Sequence, residues 1–222
     1  MTDRRDPDAV AFDCDGTIAD TESLSAIAWS DVLRSRGVEW TSEDFDALVG
    51  LPFDANWERF RSRADLGDVE RFKRELGARF RALFDERLEI HDDAVATMRE
   101  VAARGFPIAV VSSSTRDHIE RVLERADVVA LVDVIVASGD TVQHKPAPDP
   151  YLAACVRLGV DPRRTSGVED TTTGARSSRS AGLWTVAVRR AHAVVELEVY
   201  ADLVVDRLRF EDLLIRTTGG RG

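Results

Sequence analysis

The chain has 222 residues, 44% of them hydrophobic and 32% charged, a makeup that allows a real core in one domain or in a domain carrying an insert. Lys and Arg number 30 against 40 Asp and Glu, and the resulting net charge of −10 argues against nucleic acid or an anionic membrane as the main partner. No apolar run approaches the roughly 20 residues that span a bilayer, no signal-peptide core follows Met1 to Asp6, and Cys14 and Cys155 are the only cysteines. The expectation is a cytoplasmic protein with two reduced thiols.

In chain order, the first predicted strand is Ala9 to Phe12, which runs into Asp13-Cys14-Asp15-Gly16-Thr17. Residues i and i+2 of an extended strand share a face, so Asp13 and Asp15 are expected to emerge side by side where the strand gives out. Two like charges that close require a hard cation between them, or a proton on one of them. The stretch from Thr21 to Leu88 reads as helices throughout, with apolar periodicity at Leu24, Ile27, Ala28 and Leu33, at Phe45, Leu48 and Val49, and at Phe72, Leu76, Phe80, Leu83 and Phe84. So long a structureless loop is implausible, so a small helical domain is expected there, with Trp29, Trp40 and Trp57 packing it. Most of its arginines, Arg59, Arg61, Arg63, Arg71, Arg74, Arg79 and Arg81, read as a solvated face.

Beyond it, strands are predicted at Pro107 to Val111, Val134 to Ala137, Thr165 to Val168, Leu183 to Val188 and Leu203 to Val205. They alternate with helices at about Asp92 to Arg104, Arg116 to Ala126, Asp149 to Leu158, Thr172 to Ala181 and Ala193 to Tyr200. This is an α/β layout, a Rossmann-like doubly wound parallel sheet formed by residues 1–20 and 89–222, with residues 21–88 as an all-helical cap. The ends, Met1 to Asp6 and Thr217 to Gly222, read as frayed.

Ligands of an open parallel sheet gather beyond the carboxyl ends of its strands. There the sequence puts Asp13 and Asp15, then Ser112-Ser113-Ser114, then Glu169-Asp170, while Lys145 precedes the turn Pro146-Ala147-Pro148. Only two of the 30 basic residues are lysine, which singles out Lys145 as a compact charge on a flexible stem. The set suits phosphoryl transfer through an aspartyl-phosphate. Asp13 is the nucleophile and Asp15 the general acid and base. Asp13, Asp15, Glu169 and Asp170 are the candidate metal ligands, all oxygen donors, which suits Mg²⁺. Ser112, Ser113 and Lys145 are candidates for the phosphoryl oxygens. Thr21 either hydrogen-bonds Asp15 or caps the following helix with Glu22 in its first turn. His91, His118, His144 and His192 lack the paired spacing of transition-metal ligands and read as surface or capping residues.

With those four segments in that order, nearly the whole chain, from about Ala9 to Leu214, resembles the haloacid dehalogenase-like hydrolase superfamily, in the branch with a helical cap inserted after the first strand. The resemblance implies a Mg²⁺-dependent phosphatase or phosphomutase acting on a small phosphorylated metabolite, with the cap closing over it and a monomer as the default state. It disfavours the founding dehalogenases, which lack an acid two residues after the nucleophile. It also favours hydrolysis over a beta-phosphoglucomutase-like isomerase, because Ser25 and Phe53 stand where those mutases commonly carry a histidine and an arginine. Sugar phosphates, phosphogluconate and phosphoglycolate are the expected substrate types; a non-catalytic phosphometabolite-binding protein is the remaining alternative.

Overall fold

The computed structural model describes residues 3–41, 43–44, 53–190 and 196–217. The predicted positions Phe45, Leu48, Val49 and His192 lie outside them, as does the start of the helix expected from Ala193. The chain divides into two compact units, residues 1–19 with 90–222, and residues 20–89.

The larger unit is built on short strands, of which the central Ala9–Phe12 and Ile108–Val111 are apolar and buried throughout because both of their faces are covered. Strand β1 is Asp3–Arg5 and β2 is Ala9–Phe12, followed by β3 (Ile108–Val111), β4 (Val134–Val136), β5 (Thr165–Glu169), β6 (Trp184–Val188), β7 (Leu203–Val205) and β8 (Ile215–Thr217). Six of them form one parallel sheet in the order β4-β3-β2-β5-β6-β7. The chain winds outward from β2 to β4, then crosses over and winds the other way from β5 to β7. The reversal lies between β2 and β5, where Phe12 pairs with Val168, and a crevice opens at such a point beyond the carboxyl ends of the strands.

The remaining two strands correct the expectation of frayed ends for Asp3–Arg5 and Thr217, while residues 1–2 and 218–222 lie outside the described residues. Asp3–Arg5 pairs antiparallel with Ile215–Thr217, with Arg4 opposite Arg216, so the two ends of the described chain are tied together. Helix Asp149–Leu158 packs on the sheet through Tyr151, Ala154 and Cys155 against Ala11, Ala109, Val111 and Val136. Both cysteines are buried free thiols.

The smaller unit is helical, with α1 at Thr21–Arg34, α2 at Phe53–Arg61 and α3 at Val69–Arg87. Its core is aromatic: Trp29 lies 5.6 Å from Phe60 and 5.2 Å from Phe72 between ring centroids, with Trp40 and Trp57 packed alongside. Part of its arginine set is structural rather than simply solvated. Arg59 and Arg63 both pair with Asp44, whose carboxylate is buried and also accepts from Thr41. No helix among the described residues is long and apolar enough to cross a membrane.

Candidate active site

Asp13 follows the last residue of β2, where its backbone N–H still reaches across to the Val168 carbonyl of β5 (2.9 Å). That bond sets the Asp13 side chain beside Glu169 and Asp170. One carboxylate oxygen from each of Asp13, Glu169 and Asp170 lies within 4.8 Å of the others, and all three residues are buried.

Lys145 is the counter-charge. Its ammonium donates to Asp13 Oδ1 (2.6 Å), Glu169 Oε1 (2.6 Å) and the Val111 carbonyl (2.9 Å). An ammonium has three protons, so each is engaged, and a direct bond from Lys145 to a phosphoryl oxygen requires one of these to be given up. Tyr151 places its hydroxyl on the same Glu169 Oε1 (2.5 Å), which joins the packing of the sheet to the acidic group. Burial pushes the Asp13 carboxyl well above the usual carboxylate range, and Glu169 and Asp15 add to the rise against the opposing charge of Lys145. The Lys145 ammonium loses by burial but gains more from Asp13 and Glu169, so its pKa is raised and it stays charged. One ammonium does not neutralise three carboxylates.

The geometry therefore leaves room for a cation. Asp13 Oδ2 and Glu169 Oε2 are buried with no hydrogen-bond partner, a costly arrangement that a coordinated ion would relieve. The donors are all oxygen, as hard divalent cations such as Mg²⁺ require. Two glycines make the space. A Cβ on Gly16, at φ +81°, would sit 2.0 Å from Asp170 Oδ2, and one on Gly174, in the first turn of helix Thr172–Ser180, would sit 1.9 Å from Glu169 Oε2. Thr17 steadies Asp170 from the same turn through a hydroxyl bond to Oδ1 (3.2 Å).

Asp15 departs from the sequence expectation in one respect. The strand stops at Phe12, so its alternation does not carry through to Asp15, and the Asp15 carboxylate is not part of the acidic group. It turns instead to the loop after β3, where Oδ2 accepts from the hydroxyls of Ser112 and Ser114 (2.8 Å each) and Oδ1 meets His118 Nε2 (2.8 Å). Burial would raise this carboxyl, but the bond and charge of His118, with the two serines, outweigh it and hold it below the usual range. Ser113, the other predicted phosphoryl contact, is exposed in that loop. Ser112 is buried at the end of β3, and its hydroxyl also receives the Ser114 N–H (2.9 Å).

His118 is the residue that sequence reading passed over. Thr115 caps helix Arg116–Arg125, which makes His118 its third residue, and side chains in a first turn lean back toward the helix N-terminus. Position in the turn after a site-bearing strand, rather than spacing between histidines, was the available signal. Thr21 opens α1 in the other unit, but the helix is capped by Asp20, whose carboxylate accepts from the Ser23 N–H (3.0 Å). Cys14 is a buried thiol pushed up by burial and by its two aspartate neighbours, consistent with a packing role.

Comparison with known proteins places this arrangement. The family model for haloacid dehalogenase-like hydrolases matches residues 10–188. Fructose-1-phosphate phosphatase YqaB of Escherichia coli is 31% identical over 183 residues, covering 80% of this chain and 94% of that protein. Validoxylamine A 7'-phosphate phosphatase of Streptomyces hygroscopicus is 28% identical over 193 residues, covering 85% and 90%. Among solved structures, a putative beta-phosphoglucomutase from Thermotoga maritima superposes with a TM-score of 0.78 at 26% identity, covering 92% of this chain and 96% of its own. The chain belongs to the haloacid dehalogenase-like hydrolase family, in its helical-cap branch, and is an enzyme with the apparatus of a phosphoric monoester hydrolase.

Proposed function

We propose that the enzyme hydrolyses a small phosphate monoester through an aspartyl-phosphate at Asp13, with Mg²⁺ held by Asp13, Glu169 and Asp170. The observation that carries this reading is the pair of open, buried carboxylate oxygens on Asp13 and Glu169, across from a lysine fully engaged with the same two residues. The cation, when bound, supplies the positive charge that lets an anionic nucleophile approach an anionic phosphoryl group. Asp13 forms the new oxygen–phosphorus bond as the bond to the leaving oxygen breaks. Asp15, which His118 and the two serines hold ionised in the resting site, has to take up a proton before it can act as the acid; it then gives that proton to the leaving oxygen and takes one from the water that cleaves the aspartyl-phosphate. Ser112 is proposed to bind phosphoryl oxygens, with Ser113 as a further contact. Lys145 keeps Asp13 in position and offsets its charge.

The proposed substrate class is a phosphorylated sugar or sugar-like alcohol, which the sugar-phosphate phosphatases among the relatives support, with phosphogluconate and phosphoglycolate as the neighbouring possibilities. The helical unit, residues 20–89, is the natural source of specificity. Phosphate release should be measured on fructose 1-phosphate, other sugar phosphates, phosphogluconate and phosphoglycolate. Turnover of at least one is expected, falling by about 10²-fold or more after chelation and returning with Mg²⁺. Release that is indifferent to chelation, or absent with every monoester, overturns the reading. The resemblance to a putative beta-phosphoglucomutase supports a second reading, isomerisation of a phosphosugar, and that reading replaces the first if isomerisation in the same assay outruns phosphate release.

A further inference from the structure

We infer that His118 is a positioning residue for Asp15, fixing the plane of the acid–base carboxylate; the inference rests on the phosphatase reading above. Asp15 lies in the turn beyond β2, where no ladder bond of the sheet constrains its side chain. The serines hold one oxygen, Oδ2, and Ser112 is also a candidate for the phosphoryl group, so its hydroxyl serves two anions. Rotation of the carboxylate about its bond to Cβ moves both oxygens, so the serine bonds at Oδ2 resist it from the loop after β3, and the bond from His118 adds a hold on the other oxygen, Oδ1, from a helix.

His118 is itself well anchored for this. Its backbone N–H is received by the Thr115 hydroxyl oxygen (3.4 Å), and the next residue, Ile119, is fully buried with Val122 against the core. The imidazole is only 18% exposed. An ionised carboxylate only accepts, so Nε2 carries the donated proton. Neither Ser112 nor Ser114 can substitute for it, since both already bond the opposite oxygen.

The role has a signature that depends on the leaving group. An alkyl alkoxide needs the proton that Asp15 delivers, whereas 4-nitrophenolate leaves without one. The later water-activating step does not enter kcat/KM, which reports only on events up to leaving-group departure. His118→Phe, which keeps the ring and removes the donor, is therefore expected to lower kcat/KM about tenfold or more on the alkyl monoester that wild type hydrolyses fastest, mainly through kcat. On 4-nitrophenyl phosphate the loss should be less than about threefold, and His118→Gln, which restores an N–H at the Nε2 position, should recover much of the alkyl activity. Equal losses on both substrates, or no loss on the alkyl ester, overturn the inference. Should His118→Phe not fold, the ratio is read from His118→Ala against His118→Gln. If wild type releases phosphate from neither substrate, the phosphatase reading itself falls; a working wild type with an unchanged ratio in the variants overturns only the role of His118.

Discussion

Asp13→Asn is expected to lower kcat on the order of 10⁴-fold or more while leaving the protein at least as stable as wild type in metal-free buffer. An amide oxygen is too poor a nucleophile to displace the leaving group, so the chemistry stops. The stability half of the prediction follows from the charge balance. Asp13 is buried beside Glu169, its carboxyl pushed up chiefly by burial, and the neutral isostere removes one of the crowded anions while its carbonyl oxygen still accepts from Lys145. Lys145 keeps Glu169 and the Val111 carbonyl. Thermal melts in EDTA set beside steady-state rates test both halves together. A variant that is inactive and also strongly destabilised would make Asp13 a structural residue instead.

Lys145→Met has the next largest expected effect and the opposite stability profile. It removes the one ammonium that faces Asp13 and Glu169, both of which have a carboxylate oxygen without a partner, so kcat should fall about 10²–10³-fold. Breaking a buried charge pair by deleting one partner costs about 3–5 kcal/mol, and that loss should appear in urea denaturation with EDTA present. Its pH dependence has a definite sign. Without Lys145 the Asp13 carboxyl rises further above its unfolded value, so folding favours the protonated acid. The stability this provides is complete below the unfolded pKa and is lost as pH rises through the folded one. Stability relative to wild type should therefore be best preserved in mild acid, with the gap widening toward neutral and alkaline pH. A gap that narrows as pH rises would contradict the assignment of Lys145 as the counter-charge of Asp13.

The sequence discloses some layers of this molecule better than others, for physical reasons. Five of the six strands of the parallel sheet read as mainly apolar runs, Thr165–Glu169 being the polar exception, and observed bounds differ from expected ones by a residue or so, as with Ile108–Val111 against Pro107 to Val111. Both faces of such strands are covered, so the pattern is continuous and the site-bearing residues follow immediately. Strand β1, by contrast, is Asp-Arg-Arg; its pairing with Ile215–Thr217 depends on a partner at the other end of the chain and leaves no local pattern. Asp13, Glu169 and Asp170 were legible together because each ends one of two adjacent strands. The direction taken by Asp15 was not, since it depends on where the strand stops and on how helix Arg116–Arg125 is seated. His118 was hidden for the same reason: its relation to Asp15 spans two elements. Thr21 illustrates a finer limit, in that Asp20 and Thr21 are both plausible caps by residue type and only the hydrogen bond to Ser23 separates them.

The most direct test of the phosphoryl-transfer chemistry is to quench the enzyme in acid during turnover, treat it with borohydride, and map the modified residue by mass spectrometry. An acyl-phosphate at Asp13 is reduced to homoserine at that one position, in wild type and not in Asp13→Asn. Homoserine at another carboxylate, or none at any position while substrate is being hydrolysed, would contradict an aspartyl-phosphate at Asp13.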